Sequence, residues 1–469
     1  MRKVTKAQWI KFSIITLFYL LFTIWTGNYL LLLGIFIIFD IYISKYVSWN
    51  AWKKSDNPIV KKIAEWTDAI IFALIAVYLI NLFIFQNYKI PSSSLEKTLL
   101  VGDYLFVSKL SYGPRVPNTP LSFPLAQHTL PVFNCKSYIE WPHWPYHRLK
   151  GFGSVKRYDI VVFNFPTGDT VALKVQNPDY YQLCDIYGRE NVWANKEQFG
   201  DIVYRPVDRR ENYVKRCVGM PGDTLQIINN KVYIDGSPLK NPKNMQLNYF
   251  IETHGALWTD KQFRMLNVSR DDYAHAFYNG EDSAAYLFEM LGIKPNSSGM
   301  FNPVYKIPLT QEALAQIRKM NMAKTVVVEP EIFGGDGYYP GKSSDMGWTR
   351  DNFGPLWIPK KGAVITLNPT NIALYSRCIV NYEGNTMKVE GDKVYVNGKQ
   401  TDSYTFRYDY YFMMGDNRHN SSDSRVWGFV PEDHVVGKPV LVWLSTDKDR
   451  SLFDGGIRWK RLFKWVGNE

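Results

Sequence analysis

Apolar residues crowd the start of the chain in three runs, Trp9 to Trp25, Tyr29 to Ile43 and Ala69 to Phe85. Each sits near the short limit of about 17 to 25 residues for a spanning helix, and the second falls slightly under it. Thr26-Gly27-Asn28 reads either as a tight turn between two short spans or as the tip of a hairpin that does not fully cross. Charge favours spanning. Arg2, Lys3 and Lys6 precede the first run, the turn has no Lys or Arg, and Lys45, Lys53, Lys54, Lys61 and Lys62 separate the second run from the third. Positive charge stays on the cytoplasmic side, so the N-terminus and the 45–62 loop are expected there and everything after Phe85 on the exported side. The first 30 residues imitate a signal peptide, but no small-x-small site follows before the second run, so this end is expected to be kept as an anchor. Asp40 falls near the cytoplasmic end of its run, where a carboxylate stays solvated.

From Lys89 onward the pattern changes to short strands and turns. Asp159 to Phe165 is a β-branched and aromatic run closed by Pro166-Thr167-Gly168-Asp169. Thr224 to Ile228 and Lys231 to Ile234, joined by Asn229-Asn230, read as a hairpin, and Met387 to Glu390 with Lys393 to Gly398 repeats it around Gly391-Asp392. Between them lie helix-like stretches at Asp282 to Leu291 and Gln311 to Met322, the latter with Thr310 as N-cap. Gly- and Pro-rich loops such as Gly334 to Gly341 lie there too, and Asp336 and Asp345 lack the spacing of a calcium loop. The last stretch, Ile457 to Val466, puts Trp459, Leu462, Phe463 and Val466 on one helical face. Such a basic amphipathic end could rest on a membrane or dock on the protein's own body. The expected organisation is a membrane anchor over 1–88 and a β catalytic core over 89–239 and 386–450. An α+β insertion fills 240–385, and the amphipathic end covers 451–469.

The chain has 469 residues, 46% apolar and 21% charged, which is a folded composition. A net charge of +11 does not point to nucleic acid, because Lys and Arg are dispersed and several cluster beside apolar runs, where anionic lipid is the better partner. The aromatic content of 16% suits interfacial anchoring and a β-rich core equally. Cysteines 135, 184, 217 and 378 have no metal spacing. In an exported domain Cys135 and Cys184 could pair, or all four could be free thiols. Cys217, two residues from Lys215, would share its strand face as packing.

Chemistry turns on serine and lysine. A serine needs a base that is neutral at working pH. The seven histidines, at 128, 143, 147, 254, 275, 419 and 434, sit in no triad-like motif. A lysine can replace histidine if burial lowers its pKa from about 10.4. Two compete. Ser94-Leu95-Glu96-Lys97 is formally SxxK, but Ser55-Asp56-Asn57 precedes it on the wrong side of the membrane and no KTG occurs. Lys215 instead lies in the strand-like run Asn212 to Gly219, whose apolar neighbours could desolvate its ammonium.

Four blocks in order carry a family resemblance: Ile90-Pro91-Ser92-Ser93-Ser94-Leu95 running to Thr98 to Asp103; Arg157 to Phe163; Tyr213-Val214-Lys215-Arg216 with Gly219 to Asp223; and Gly415 to Gly428. Together they resemble bacterial type I signal peptidases, the membrane-bound serine/lysine proteases. The resemblance implies a mainly β catalytic body of coiled antiparallel sheets behind transmembrane helices. It implies Ser94 as nucleophile, Lys215 as general base, and the Ser92 hydroxyl with the Ser94 N–H as oxyanion hole. Ser421 matches the hydroxyl that orients the lysine, Asp423 and Arg425 a supporting ion pair, and Asp416, Arg418 and Arg216 further charges of the site or plain turn geometry. Ile90, Pro91, Leu95, Leu99, Tyr213 and Val214 match the substrate-binding wall.

Further expectations follow from that likeness. Members cleave secretory preproteins after a small-x-small sequence and bind the signal peptide region as an added strand. No metal or cofactor is expected. Partners are preproteins and membrane lipid, with the export machinery an open further partner. The place would be the bacterial cytoplasmic membrane, multi-pass, with the catalytic domain on the periplasmic face. Ser93 for Gly and Leu95 for Met depart from the family pattern, as does the long insertion. A self-cleaving Ser/Lys regulatory protease would share the dyad but carry a DNA-binding module, and a catalytically idle membrane scaffold would keep the fold.

Overall fold

A computed structural model describes residues 4–49, 57–133, 135–269, 272, 276–277, 282–334, 337–341, 346–447, 450–451 and 455–467. Arg2, Lys3, Lys53, Lys54, Ser55, Asp56, His275, Gly335, Asp336 and Asp345 lie outside the described residues. The chain divides into two compact units, residues 1–86 with 109–154, and residues 87–108 with 155–469.

In the first unit, helix α1 (Lys6–Thr26) opens on a Thr5/Gln8 capping box and ends on Gly27 in the left-handed region. The second apolar run is no regular helix. It passes from a 3-10 turn (Tyr29–Leu33) through a short α segment (Gly34–Phe39) to a π turn (Asp40–Ser44) and folds back along α1. The Tyr19 hydroxyl donates to the Leu31 carbonyl at 2.7 Å, and Phe12 meets Phe39 edge-on at 5.7 Å. A Cβ at Gly34 would overlap the Tyr19 phenol and push its hydroxyl off the Leu31 carbonyl. Asp40 closes the segment: its carboxylate accepts from the Tyr46 and Val47 N–H groups and the Trp49 indole. Helix α2 (Pro58–Phe83) begins well before the third apolar run, because Asn57 caps it and Pro58 suits the first turn. Only α1 and α2, among the described residues, are long and apolar enough to cross a membrane; Tyr29–Ser44 is a shorter apolar segment. Phe83 packs on Phe22 and Trp25, so the Thr26 end of α1 meets the Phe83 end of α2.

The second unit is built on a curled eight-stranded sheet. Its strands are β1 (Phe85–Lys89), β2 (Asp103–Ser108), β3 (Ile160–Asn164), β4 (Asn212–Gly219), β5 (Tyr410–Met414), β6 (Val430–Pro431), β7 (Val435–Ser445) and β8 (Lys464–Trp465). Their order is β1-β2-β7-β3-β4-β5-β6, with β8 added to β7. The antiparallel pairs are frequently bulged, as between β2 and β7. β3 is buried along its whole length, which explains its unbroken apolar run. The first expected hairpin forms, with Asn229 and Asn230 both at positive φ, and the second forms at Met387–Glu390 and Lys393–Val396.

The strands Gln246–Glu252, Ala276–Phe277, Val304–Thr310 and Thr325–Val328 make a separate antiparallel sheet with the helix Gln311–Lys319 capped by Thr310, and Leu247, Ile251, Ile307, Leu314 and Ile317 fill its core. Tyr339, Phe353, Leu356, Ile358 and Tyr375 behave differently: they pack among Leu225 and Ile227 of the first hairpin, Phe412 of β5 and Phe429 just before β6. The C-terminal stretch is not a helix. It makes one 3-10 turn at Trp459–Arg461 and then joins β7 as β8, because the open edge of β7 offers ladder hydrogen bonds that a short helix lacks. All four cysteines are free thiols.

Candidate active site

The Ile90 N–H donates to the Asp103 carbonyl and the Gly102 N–H to the Ile90 carbonyl, so β1 and β2 pinch off the twelve-residue loop between them. At its tip a single 3-10 turn, Ser93–Leu95, presents Ser94. Asp103 accepts from the Leu100 N–H at 2.8 Å and pairs with Arg461, whose guanidinium also donates to the Thr98 carbonyl. From above, Asn417 grips the turn: its N–H donates to the Ser94 carbonyl at 3.1 Å and its amide to the Ser93 carbonyl at 3.3 Å.

Lys215 reaches this turn from the middle of β4, where Val161 of β3 lies directly opposite it. Its ammonium nitrogen lies 2.6 Å from the Ser94 hydroxyl and 5.9 Å from the centre of the Tyr213 ring, two residues back on the same face. The lysine is 5% exposed. Burial pulls its pKa down to about 8; Asp423 opposes that shift, while Arg425 reinforces it. Cys217, next on that face, is buried and its thiol is pushed far up by desolvation, leaving it an inert packing group.

The Gly415–Arg425 loop supplies the charges. Arg425 clasps Asp423 with two contacts of 2.9 and 2.8 Å, and Asp423 also accepts from the Gly415 N–H at 3.0 Å. Burial would raise the Asp423 pKa, but Arg425 and that N–H hold it below its ordinary value. Arg216 forks onto Asp416 with two 2.7 Å bonds, and Asp416 takes a further one from the Thr98 hydroxyl at 2.7 Å. Gly415 has no room for a side chain: a Cβ would come within 2.6 Å of Ser421 Cβ and 2.7 Å of the Ser94 carbonyl. Arg418 is buried, and burial with the neighbouring Arg425 lowers its pKa to about 10.

Not every residue singled out converges. Ser92 is exposed and caps nothing. The Ser421 hydroxyl is buried without a hydrogen-bond partner among the described residues. Ile90, Leu95 and Leu99 are almost fully buried with Leu105, Val107, Ile160 and Val162, while Pro91 is exposed and Val214 half-buried against the same cluster. Tyr213 is half-buried, stacked on Phe165 at 4.3 Å and edge-on to Trp427. Lys97 points elsewhere. The 3-10 turn ends at Leu95, Lys97 takes a positive φ, and its ammonium bonds the Asn267 carbonyl. An SxxK pair needs both residues on one helix face, and here the helix is one turn long. Substituting Lys97 with alanine should leave turnover of a preprotein within about twofold of wild type, in steady-state assays.

Sequence reasoning assigned no role to Thr98, Asn417 or Arg461, although Thr98 and Asn417 stand in the resembling blocks. It also missed a buried brace from residues 248–351. Arg350 binds Glu329 and Asp351, His419 sits between those carboxylates at 3.2 and 3.3 Å, and Asn248 bonds Glu329 and Asn420. The Arg350 carbonyl accepts from Arg425 itself. A lone histidine and scattered carboxylates carry no signal of this until the chain is folded.

A serine hydroxyl within reach of a buried lysine, on a curled antiparallel sheet, belongs to the chemistry of hydrolases. The family model described as "Signal peptidase, peptidase S26" matches residues 63–283 and 401–444, both sides of the site, and leaves 284–400 unmatched. A signal peptidase I of Haemophilus influenzae is 44% identical over 409 residues, covering 86% of this chain and 76% of its own. One from Buchnera aphidicola of Schizaphis graminum is 23% identical over 455 residues, 96% of this chain and 98% of its own. One from Helicobacter pylori J99 is 23% identical over 416 residues, 86% and 91%. The chain belongs to the signal peptidase, peptidase S26, family.

Proposed function

We propose that this chain is a membrane-anchored endopeptidase that removes signal peptides from exported preproteins after a small-x-small site, with Ser94 as nucleophile and Lys215 as general base. The observation that carries this reading is the 2.6 Å approach of a buried, pKa-depressed lysine to a serine hydroxyl in a family of signal peptidases. Neutral Lys215 takes the Ser94 proton as the oxygen attacks the scissile carbonyl. The oxyanion forms toward the Ser94 N–H, with the Ser92 hydroxyl as the second donor. Collapse breaks the C–N bond, the lysine ammonium protonates the leaving amine, and the signal peptide remains as an ester on Ser94. Water, deprotonated by the same lysine, then releases it.

In this reading the anchor is α1 and α2, with the Tyr29–Ser44 segment returning along α1; the distribution of Lys and Arg supports a cytoplasmic 45–62 loop and a second unit on the exported face. Membrane lipid and the preprotein are the partners this reading requires. The test is cleavage of a preprotein bearing an Ala-x-Ala site by detergent-purified protein. Wild type should cut and Ser94→Ala should not; a Ser94→Ala variant that still cuts at that site would end the proposal.

A further inference from the structure

We infer that residues 109–152 form an apolar collar that lies in the lipid interface around the Thr26 end of α1 and the Phe83 end of α2. The inference rests on the reading of those helices as a membrane anchor and goes beyond it: a segment outside any apolar run would be lipid-immersed. Residues 109–154 belong to the same compact unit as the helices. Three bonds fix them at one end of it. The Lys109 N–H donates to the Ile84 carbonyl, the Trp25 indole to the Lys150 carbonyl at 3.0 Å, and the Tyr78 hydroxyl to the Pro120 carbonyl at 3.1 Å. Tyr78 precedes the helix end by five residues, about 7 Å down the axis at about 1.5 Å per residue, so its bond ties Pro120 to the last turns of α2.

Immediately after Pro120 the chain makes a narrow hairpin, with Phe123 bonded to Ser137 and Ile139 to Leu121. Tyr138 is buried on one side, whereas Leu121, Phe123 and Ile139 are bare on the other. Phe123, Leu125, Val132, Phe133, Trp141 and Phe152 are 58 to 88% exposed. A water-facing surface rarely shows so many large apolar groups together. Lys136 is paired with Glu140, which leaves Arg115, Arg148 and Lys150 to give the segment the positive balance that anionic headgroups attract. Aromatic rings mixed with basic residues suit the depth between headgroup and acyl chain.

Cys135, exposed at the hairpin tip, allows a direct test. In a Cys184→Ser background, with the full chain in lipid nanodiscs, a polarity-sensitive dye on Cys135 should be quenched by lipids spin-labelled near the headgroup and shielded from aqueous iodide. A dye at Ile75→Cys on α2 reports the anchor independently. If the α2 dye is lipid-quenched while the Cys135 dye is quenched by iodide alone, the collar is wrong and the anchor stands; if iodide reaches both, the anchor reading has failed as well. A Phe123→Asp, Phe133→Asp, Trp141→Asp variant should process a nanodisc-inserted preprotein about tenfold more slowly, yet cut a short soluble peptide in detergent at the wild-type rate. Unchanged processing in nanodiscs would overturn the proposal.

Discussion

A Lys215→Met variant is expected to lose turnover of a preprotein by about four orders of magnitude, near the upper end of what a positioned base supplies. Among the described residues, Lys215 is the nitrogen base that reaches the Ser94 hydroxyl. With its pKa at about 8, the lysine is roughly one-tenth free base at pH 7, so wild-type kcat/KM should rise with pH and level off above pH 8. The same variant should be the more stable protein. The folded pKa is about 8 and the unfolded one about 10.4, so between those values the unfolded chain holds the extra proton and stability climbs with pH. Below pH 8 the full penalty of a buried ammonium is present, about 3 kcal/mol, and methionine removes much of it. Thermal unfolding at pH 7 and at pH 10.5 checks this: the variant's advantage should be large at the first and small at the second. An inactive variant that is less stable at pH 7 would show that Lys215 is held by favourable contacts rather than strained by burial.

How far the sequence foretold this structure depends on how local each feature is. The Asp159 to Phe165 strand, both hairpins, the Thr310-capped helix and the two long apolar helices follow from periodicity and turn chemistry within a few residues of themselves. Ser94 and Lys215 are 2.6 Å apart yet 121 positions apart in the chain, and only the ordered blocks suggested their meeting. Ile457 to Val466 misled because its helical spacing was real but too short to outbid an open strand edge on β7. Residues 109–154 carried no recognised pattern, since a loop that packs beside helices leaves its apolar side chains irregularly spaced. The brace at Glu329, Arg350, Asp351 and His419 was invisible for the opposite reason: each charge alone reads as a solvated surface residue, and burial exists only once the second sheet closes on the Gly415–Arg425 loop.

Disrupting the Asp423–Arg425 pair should move the pH limb of activity in a direction set by which partner is lost. With both present, their charges largely cancel at Lys215, and burial is left as the main cause of its lowered pKa. In Arg425→Met the Asp423 carboxylate stands unopposed and favours the ammonium, so the acid limb should shift above pH 8. In Asp423→Asn the guanidinium remains, disfavours the ammonium, and the limb should fall below it. Each variant also strands a buried charge and should lose about 3 to 5 kcal/mol of stability. The double variant Asp423→Asn, Arg425→Met removes both charges and should recover part of that loss, with its limb lying between those of the single variants. A merely structural pair would lower activity in all three without moving the limb, whereas opposite shifts require that the pair act on Lys215 through its field.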